Sequence, residues 1–295
     1  MNKKRLLIAH FYNEEYLLPF WIRHHFNLFD DVVLINNNSS DRSVEIIKTM
    51  APNWKIIDSS FEKFNSEATD KLIMQIENSH EGYIKIVLNI TEFLIINDYE
   101  KFNYFTENKK MIKLNTFLMC SLNKKAKISN LLEEENTGFW DDSYNLFLPY
   151  IRFNWGLPSR NRFIHSYTYG RYKPGRHKSK HKNIFNLDRN VAYIRWYTLS
   201  PWNENFIKRK LQIQNTISDF DKKKGYSYQH FLTISVLENQ IEYFKKISQV
   251  YPGKEASKYK AKYFSTIRFL LRSYNFVLKK FLTISLLNLL IFKLL

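Results

Sequence analysis

Cysteine is almost missing from this 295-residue chain, which carries only Cys120. A lone thiol makes no intramolecular disulfide and no cysteine-based zinc site. Within Thr116-Phe117-Leu118-Met119-Cys120 it reads as a small core residue. Glycine and proline are scarce too, at 7 each, and no low-complexity linker or internal repeat is visible. No apolar signal region follows Lys3-Lys4-Arg5, because His10, Asn13, Glu14 and Glu15 interrupt it. A secretory leader is therefore not expected, and a reducing, cytoplasmic setting is. Acidic residues are also few, 28 against 45 Lys and Arg, so the formal net charge is +17.

What is present is ordinary globular material. Hydrophobic residues make up 44% and charged residues 25%, which excludes wholesale disorder and leaves room for one large domain or two modest ones. The excess charge is local. Residues 159–182 hold eight Lys or Arg and no acid, residues 254–295 hold nine against Glu255 alone, and the rest is near neutral. Such regions attract anions: nucleic acid, a lipid surface or a phosphorylated substrate. No helix-turn-helix, RRM or zinc pattern accompanies them, so nucleic acid is not the expected partner.

Along the chain, Arg5–Phe11, Asp31–Ile35, Trp54–Asp58 and Ile84–Leu88 read as buried strands. Between them lie a helix through Leu17, Trp21 and His25 with Pro19 in its first turn, a helix over Val44–Met50, and a helix facing inward with Leu72, Ile73 and Ile76. This alternation predicts an α/β fold with a doubly wound, mostly parallel sheet. Ligands of such sheets lie at the carboxyl ends of the strands, where Tyr12-Asn13-Glu14-Glu15 and the run Asn36–Asp41 should converge. Residues 112–122 read as one further strand, 131–142 as acidic, 151–182 as a basic, aromatic loop, and the chain from Trp202 as helical.

The opening strand with Phe11-Tyr12-Asn13-Glu14-Glu15, then Ile35-Asn36-Asn37-Asn38-Ser39-Ser40-Asp41, resembles the start of family 2-like glycosyltransferases of the GT-A fold. Leu17-Pro19-Phe20-Trp21, His24-His25, Asp41 to Ile47, Asp70, Glu77 and Asn89-Ile90-Thr91-Glu92-Phe93-Leu94 continue the resemblance. Tyr172-Lys173-Pro174-Gly175-Arg176-His177 and the segment from Ser200-Pro201-Trp202 to Arg209-Lys210 are similar to the branch in which a DxDEF motif replaces the plain DxD. Together these cover residues 1 to about 230. The resemblance implies a Rossmann-like GT-A body over residues 1–200, binding a nucleotide sugar, and a helical region over 201–295.

In that role Tyr12 is expected to stack on the base, and Asn37, Asp41 and Asp70 to bond base and ribose, with Asn13 and Glu14 beside them. The family pattern places aspartates at 89 and 91, holding the donor diphosphate through Mn2+ or Mg2+; this chain has Asn89 and Thr91, leaving Glu92. A hard cation wants carboxylate oxygens. The metal requirement therefore stays open between a weak site on Glu92, with His230 a lesser candidate, a metal-independent enzyme, and a non-catalytic relative. Without metal, the cations around Arg176 and His177 would meet the diphosphate. Inverting transfer requires a carboxylate base on the acceptor hydroxyl, for which Asp141, Asp142 and Glu92 are the candidates.

The last forty residues read differently. Lys258, Lys262, Arg268, Arg272, Lys279 and Lys280 lead into the twelve-residue run Phe281–Phe292, short of the ~20 residues that span a bilayer. That pattern suits an interfacial anchor on anionic lipid, or a helix buried against its own domain or a partner. The expectation is a cytoplasmic, membrane-associated glycosyltransferase using a UDP- or GDP-linked donor and a glycan or lipid-linked acceptor in surface polysaccharide synthesis. The alternative is a pseudo-enzyme that binds a glycan or a partner.

Overall fold

A computed structural model of the chain describes residues 3–120, 161–199, 202–227, 230–231, 233–239 and 241. Strands β1 (Arg5–Phe11), β2 (Asp31–Asn36), β3 (Lys55–Asp58) and β4 (Ile84–Asn89) alternate with helices α1 (Leu18–His25), α2 (Ser43–Met50) and α3 (Ser66–Asn78). After them come β5 (Glu92–Ile96), α4 (Tyr99–Asn108), β6 (Met111–Leu114), β7 (Thr116–Cys120), β8 (Arg162–His165), β9 (Phe185–Asn186), β10 (Ala192–Leu199), α5 (Glu204–Gln212) and α6 (Asp219–Lys223).

The main sheet has seven strands in the order β3-β2-β1-β4-β8-β6-β9. The pairs among β3, β2, β1 and β4 are parallel, and β8 runs antiparallel between β4 and β6. The mostly parallel α/β sheet expected from the sequence is thus present. Both faces of β1 are covered, as alternation demands. Leu7, Ala9 and Phe11 pack into a core with Trp21, Ile22 and Ile47 from α1 and α2, while Leu6 and Ile8 pack with Ile73 and Ile76 of α3. Pro19 sits in the first turn of α1, where its missing N–H costs nothing. α3 starts at Asn65, whose side chain accepts from the Ala68 N–H.

Two expectations are corrected. The strand read over residues 112–122 is broken at Asn115: β6 stays in the main sheet, and β7 joins a three-stranded sheet of order β5-β10-β7. The residues beyond Cys120 lie outside the described ones. The basic segment 151–182 was expected to be loop, yet Arg162–His165 is a strand at the centre of the main sheet, buried throughout. Its two basic ends are admitted because each meets a buried carboxylate, Arg162 on Glu92 and His165 on Glu77. In the C-terminal region α5, α6 and residues 234–239 are helical, with Leu237 and Ile241 buried. No helix among the described residues is long and apolar enough to cross a membrane, and the basic and apolar tail lies outside them.

Candidate functional site

The chain winds from β1 outward to β3 and then returns to β4 on the other side of β1, so the strand order reverses between β1 and β4. At such a reversal the loops leaving the two strands part and open a crevice. A cavity of about 440 Å3 lies there, lined by the ends of β1, β2 and β4, by residues 61–66, by the Gly175-Arg176-His177 turn, and by β10 and α5.

The strand ends converge as their register requires. His10 on β1 lies opposite Asn89 on β4, and both hold the guanidinium of Arg176. Nη2 of Arg176 donates to Asn89 Oδ1 at 3.1 Å and lies 3.1 Å from His10 Nε2. Nη1 of Arg176 bonds the Asp70 carboxylate, and the Gly175 N–H donates to the other Asp70 oxygen at 3.1 Å. Burial and the charges of Arg176 and Arg162 press the His10 pKa from 6.5 down to about 3, so its imidazole is neutral and Nε2 is an acceptor. Phe64 stacks on the His10 ring, with centroids 5.5 Å apart.

Tyr12, half-buried at the end of β1, and Asn37, at the end of β2, both line the cavity. Asn37 is tied to β1 through its N–H, which donates to Phe11 O at 2.9 Å, and its amide meets His10 Nδ1 at 3.3 Å. Trp196 and Thr198 of β10 also line the cavity, with Lys210 of α5 donating from Nζ to Thr198 Oγ1 at 3.0 Å. The structure therefore brings Tyr12, Asn37, Asp70, Asn89, Thr91, Arg176 and His177 together, and places His230 on the rim of the same cavity.

Four of the residues picked out in the sequence have other work. Asn13, at φ 47°, accepts from the Ser40 and Asp41 N–H groups through Oδ1 and does not line the cavity. Asp41 accepts from the Glu15 and Ser43 N–H groups at 2.9 and 3.0 Å, which fixes the turn leading into α2. Glu14 lines the cavity but is clamped by both ends of the Arg209 guanidinium, which ties the β1–α1 turn to α5. Burial raises the Glu14 pKa against the pull of that arginine.

Glu92 is fully buried, and Arg162 Nε and Nη2 grip its two oxygens at 2.6 and 2.7 Å. The Asn89 N–H donates to it as well, at 2.9 Å, so Glu92 presents no open face to a metal or a substrate hydroxyl. Asp141 and Asp142 lie outside the described residues.

Sequence reasoning missed Arg162, Lys85 and Glu62, and it named Glu77 without the role it plays here. Arg162 carries the turn bearing Arg176, because Nη1 donates to Gly175 O at 3.1 Å and to His177 Nδ1 at 3.0 Å. Below it, buried Glu77 accepts from Tyr172 Oη at 2.8 Å and from the Gly170 N–H at 2.7 Å, and pairs with His165. Lys85, buried on β4, closes the start of the same loop by donating to the carbonyls of Tyr167 and Thr168. Glu62 is an exposed carboxylate lining the cavity that no cation among the described residues closes. The signal for the buried groups was in the sequence, as polar residues inside apolar strands (Lys85, His165) and on the inner face of a helix (Glu77). Nothing in the sequence singles out Glu62.

The chain matches no protein-family model and no curated protein sequence. Among solved structures it is similar to S. aureus TarS 1-349, at 16% identity and a TM-score of 0.40, covering 72% of this chain and 65% of that one. The same TarS fragment in complex with UDP-GlcNAc matches at 14% identity and a TM-score of 0.39, over 72% and 66% of the two chains. A third likeness is to glucosyl-3-phosphoglycerate synthase from Mycobacterium tuberculosis in complex with Mn2+, UDP-Glc and phosphoglyceric acid. It stands at 13% identity and a TM-score of 0.29, over 39% and 44% of the chains. The chain thus spans less than two thirds of the first of these neighbours and less than half of the last.

Proposed function

We propose that the chain is a glycosyltransferase whose switch-point cleft binds a UDP- or GDP-linked sugar and passes the sugar, with inversion, to a hydroxyl of a glycan or lipid-linked acceptor. The observation that carries this reading is the juxtaposition at the β1/β4 ends: an aromatic wall in Tyr12, an amide in Asn37 and a buried guanidinium in Arg176. A nucleotide sugar needs those three things, a face to stack its base, partners for base and ribose, and positive charge at its diphosphate. In the transfer the acceptor oxygen forms a bond to the anomeric carbon while the bond from that carbon to the diphosphate breaks. The acceptor proton passes to a carboxylate, and the diphosphate leaves with the electron pair. Asp141 or Asp142 is our choice for that base.

A divalent cation is the cofactor that the family resemblance implies. The donor set fits it poorly: Asn89 offers an amide and Thr91 a hydroxyl, while Arg176 closes Asp70 and Arg162 closes Glu92. Among the described residues no three His, Cys, Asp or Glu stand close enough to share an ion. The basic stretch and short apolar run near the C-terminus support work at an anionic membrane surface on the cytoplasmic side, in surface polysaccharide synthesis.

One observation favours a second reading. Arginines close Glu14, Asp70 and Glu92, and this leaves Glu62 as the open carboxylate of the described cleft. A protein that binds a glycan or nucleotide without turning it over would have this character. Incubation with UDP- and GDP-sugars, with and without Mn2+, separates the two. Release of UDP or GDP that Asp141→Asn or Asp142→Asn abolishes supports the enzyme, and binding without release supports the second reading.

A further inference from the structure

Arg176 is 5% exposed, and its guanidinium is nearly but not completely satisfied. Nη1 is taken by Asp70, and Nη2 by Asn89 and His10. The Nε–H is buried with no acceptor among the described residues. A buried charged donor left unpaired, on a residue that lines a polar cleft, is costly, and a ligand oxygen reached by a small shift of the side chain would relieve it. The backbone is committed to this placement, since Gly175 and Arg176 sit at φ 81° and 60°, and the left-handed region is unfavourable for arginine. Asp70 and Arg162 hold the turn from both sides through the Gly175 N–H and carbonyl. The other cations of this segment, Arg171, Lys173, Lys178, Lys180 and Lys182, are exposed and do not line the cavity. Among the described Lys and Arg of this segment, only Arg176 lines the cavity.

Where a cation-bridged diphosphate would need carboxylate oxygens, this wall presents a guanidinium bonded to Asn89. On the reading of the cleft as a nucleotide-sugar site, we infer that Arg176 itself supplies the counter-charge for the donor diphosphate, so nucleotide binding needs no divalent cation. Asp70 fixes the plane of the guanidinium rather than touching the ligand, and Lys210 is a further cation of the same lining.

The test is calorimetric titration of the full chain with UDP and with uridine, or GDP and guanosine, in EDTA and then in Mn2+. UDP binds in EDTA, and Mn2+ changes its Kd by no more than about twofold. Because Arg176→Ala alone strands Asp70, the key variant is Arg176→Gln with Asp70→Asn, checked by its melting curve. It weakens UDP about tenfold or more, the worth of one charge-assisted hydrogen bond, and leaves uridine within about twofold. UDP binding that EDTA abolishes overturns the inference while leaving the cleft a nucleotide site. A variant that weakens UDP and uridine alike also overturns it, since Arg176 would then only shape the pocket. If neither nucleotide nor nucleoside binds in any condition, the nucleotide-sugar reading falls and the inference with it.

Discussion

Removing Arg162 is the perturbation with the largest consequence that the structure allows to be worked out. Arg162 and Glu92 are 1% and 0% exposed, and their two hydrogen bonds measure 2.6 and 2.7 Å. In Arg162→Met the volume is roughly kept but a buried carboxylate loses its bidentate partner, a loss that costs about 3–5 kcal/mol. At roughly 2–4 °C per kcal/mol for a domain of this size, the melting temperature should fall by about 6–20 °C. Denaturant unfolding with linear extrapolation gives the free energy, and scanning calorimetry gives the shift. A second variant controls for packing: Arg162→Met with Glu92→Met removes both charges and should recover most of the loss, since apolar replacements of a buried pair are often neutral. A loss below about 1 kcal/mol in the single variant would refute the reasoning, because a water-screened surface pair behaves that way. So would a double variant no better than the single one.

Other outcomes follow from the same geometry. A Cβ at Gly170 would meet Tyr172 Cζ at 2.0 Å, and Glu77 and His165 clasp that ring, so Gly170→Ala should cost about 1–3 kcal/mol or more. Its melting curve checks this. Tyr12→Ala should weaken UDP or GDP binding about 5- to 150-fold if the ring stacks on the base, with Tyr12→Phe near wild type by calorimetry. His10 titrates at about 3 in the folded chain against 6.5 unfolded, and burial lowers His25 as well. Their contribution to stability is therefore complete above about pH 6.5 and is lost as pH falls toward 3. Urea midpoints measured across that window should decline with acid, and more shallowly in His10→Gln.

The four parallel strands and their helices were legible because strands inside a sheet need unbroken apolar runs, and the polar residues that end them mark the crevice; β3, expected to be buried, is instead the half-exposed edge strand. Asn37 was legible for the same reason, by position, and Arg176 through the acid-free basic run around it. β8 was hidden because Arg162 and His165 look like solvated charges until Glu92 and Glu77 are brought beside them, 70 and 88 residues away in the chain. Asn13, Glu14 and Asp41 looked like ligand contacts because turn-forming and ligand-binding residues share a chemistry. Only their partners, the Ser40 and Ser43 N–H groups and Arg209, tell the two uses apart. The break at Asn115 is marked only by that one amide, within a run otherwise rich in apolar residues.

The central claim is that the β1/β4 cleft receives a nucleoside diphosphate, and a crystal structure of the chain soaked with UDP or GDP tests it most directly. The account predicts the base against Tyr12 and Asn37, with a phosphate oxygen within hydrogen-bond distance of Arg176 Nε. A nucleotide bound elsewhere, or in the cleft with its phosphates turned away from Arg176, would contradict it.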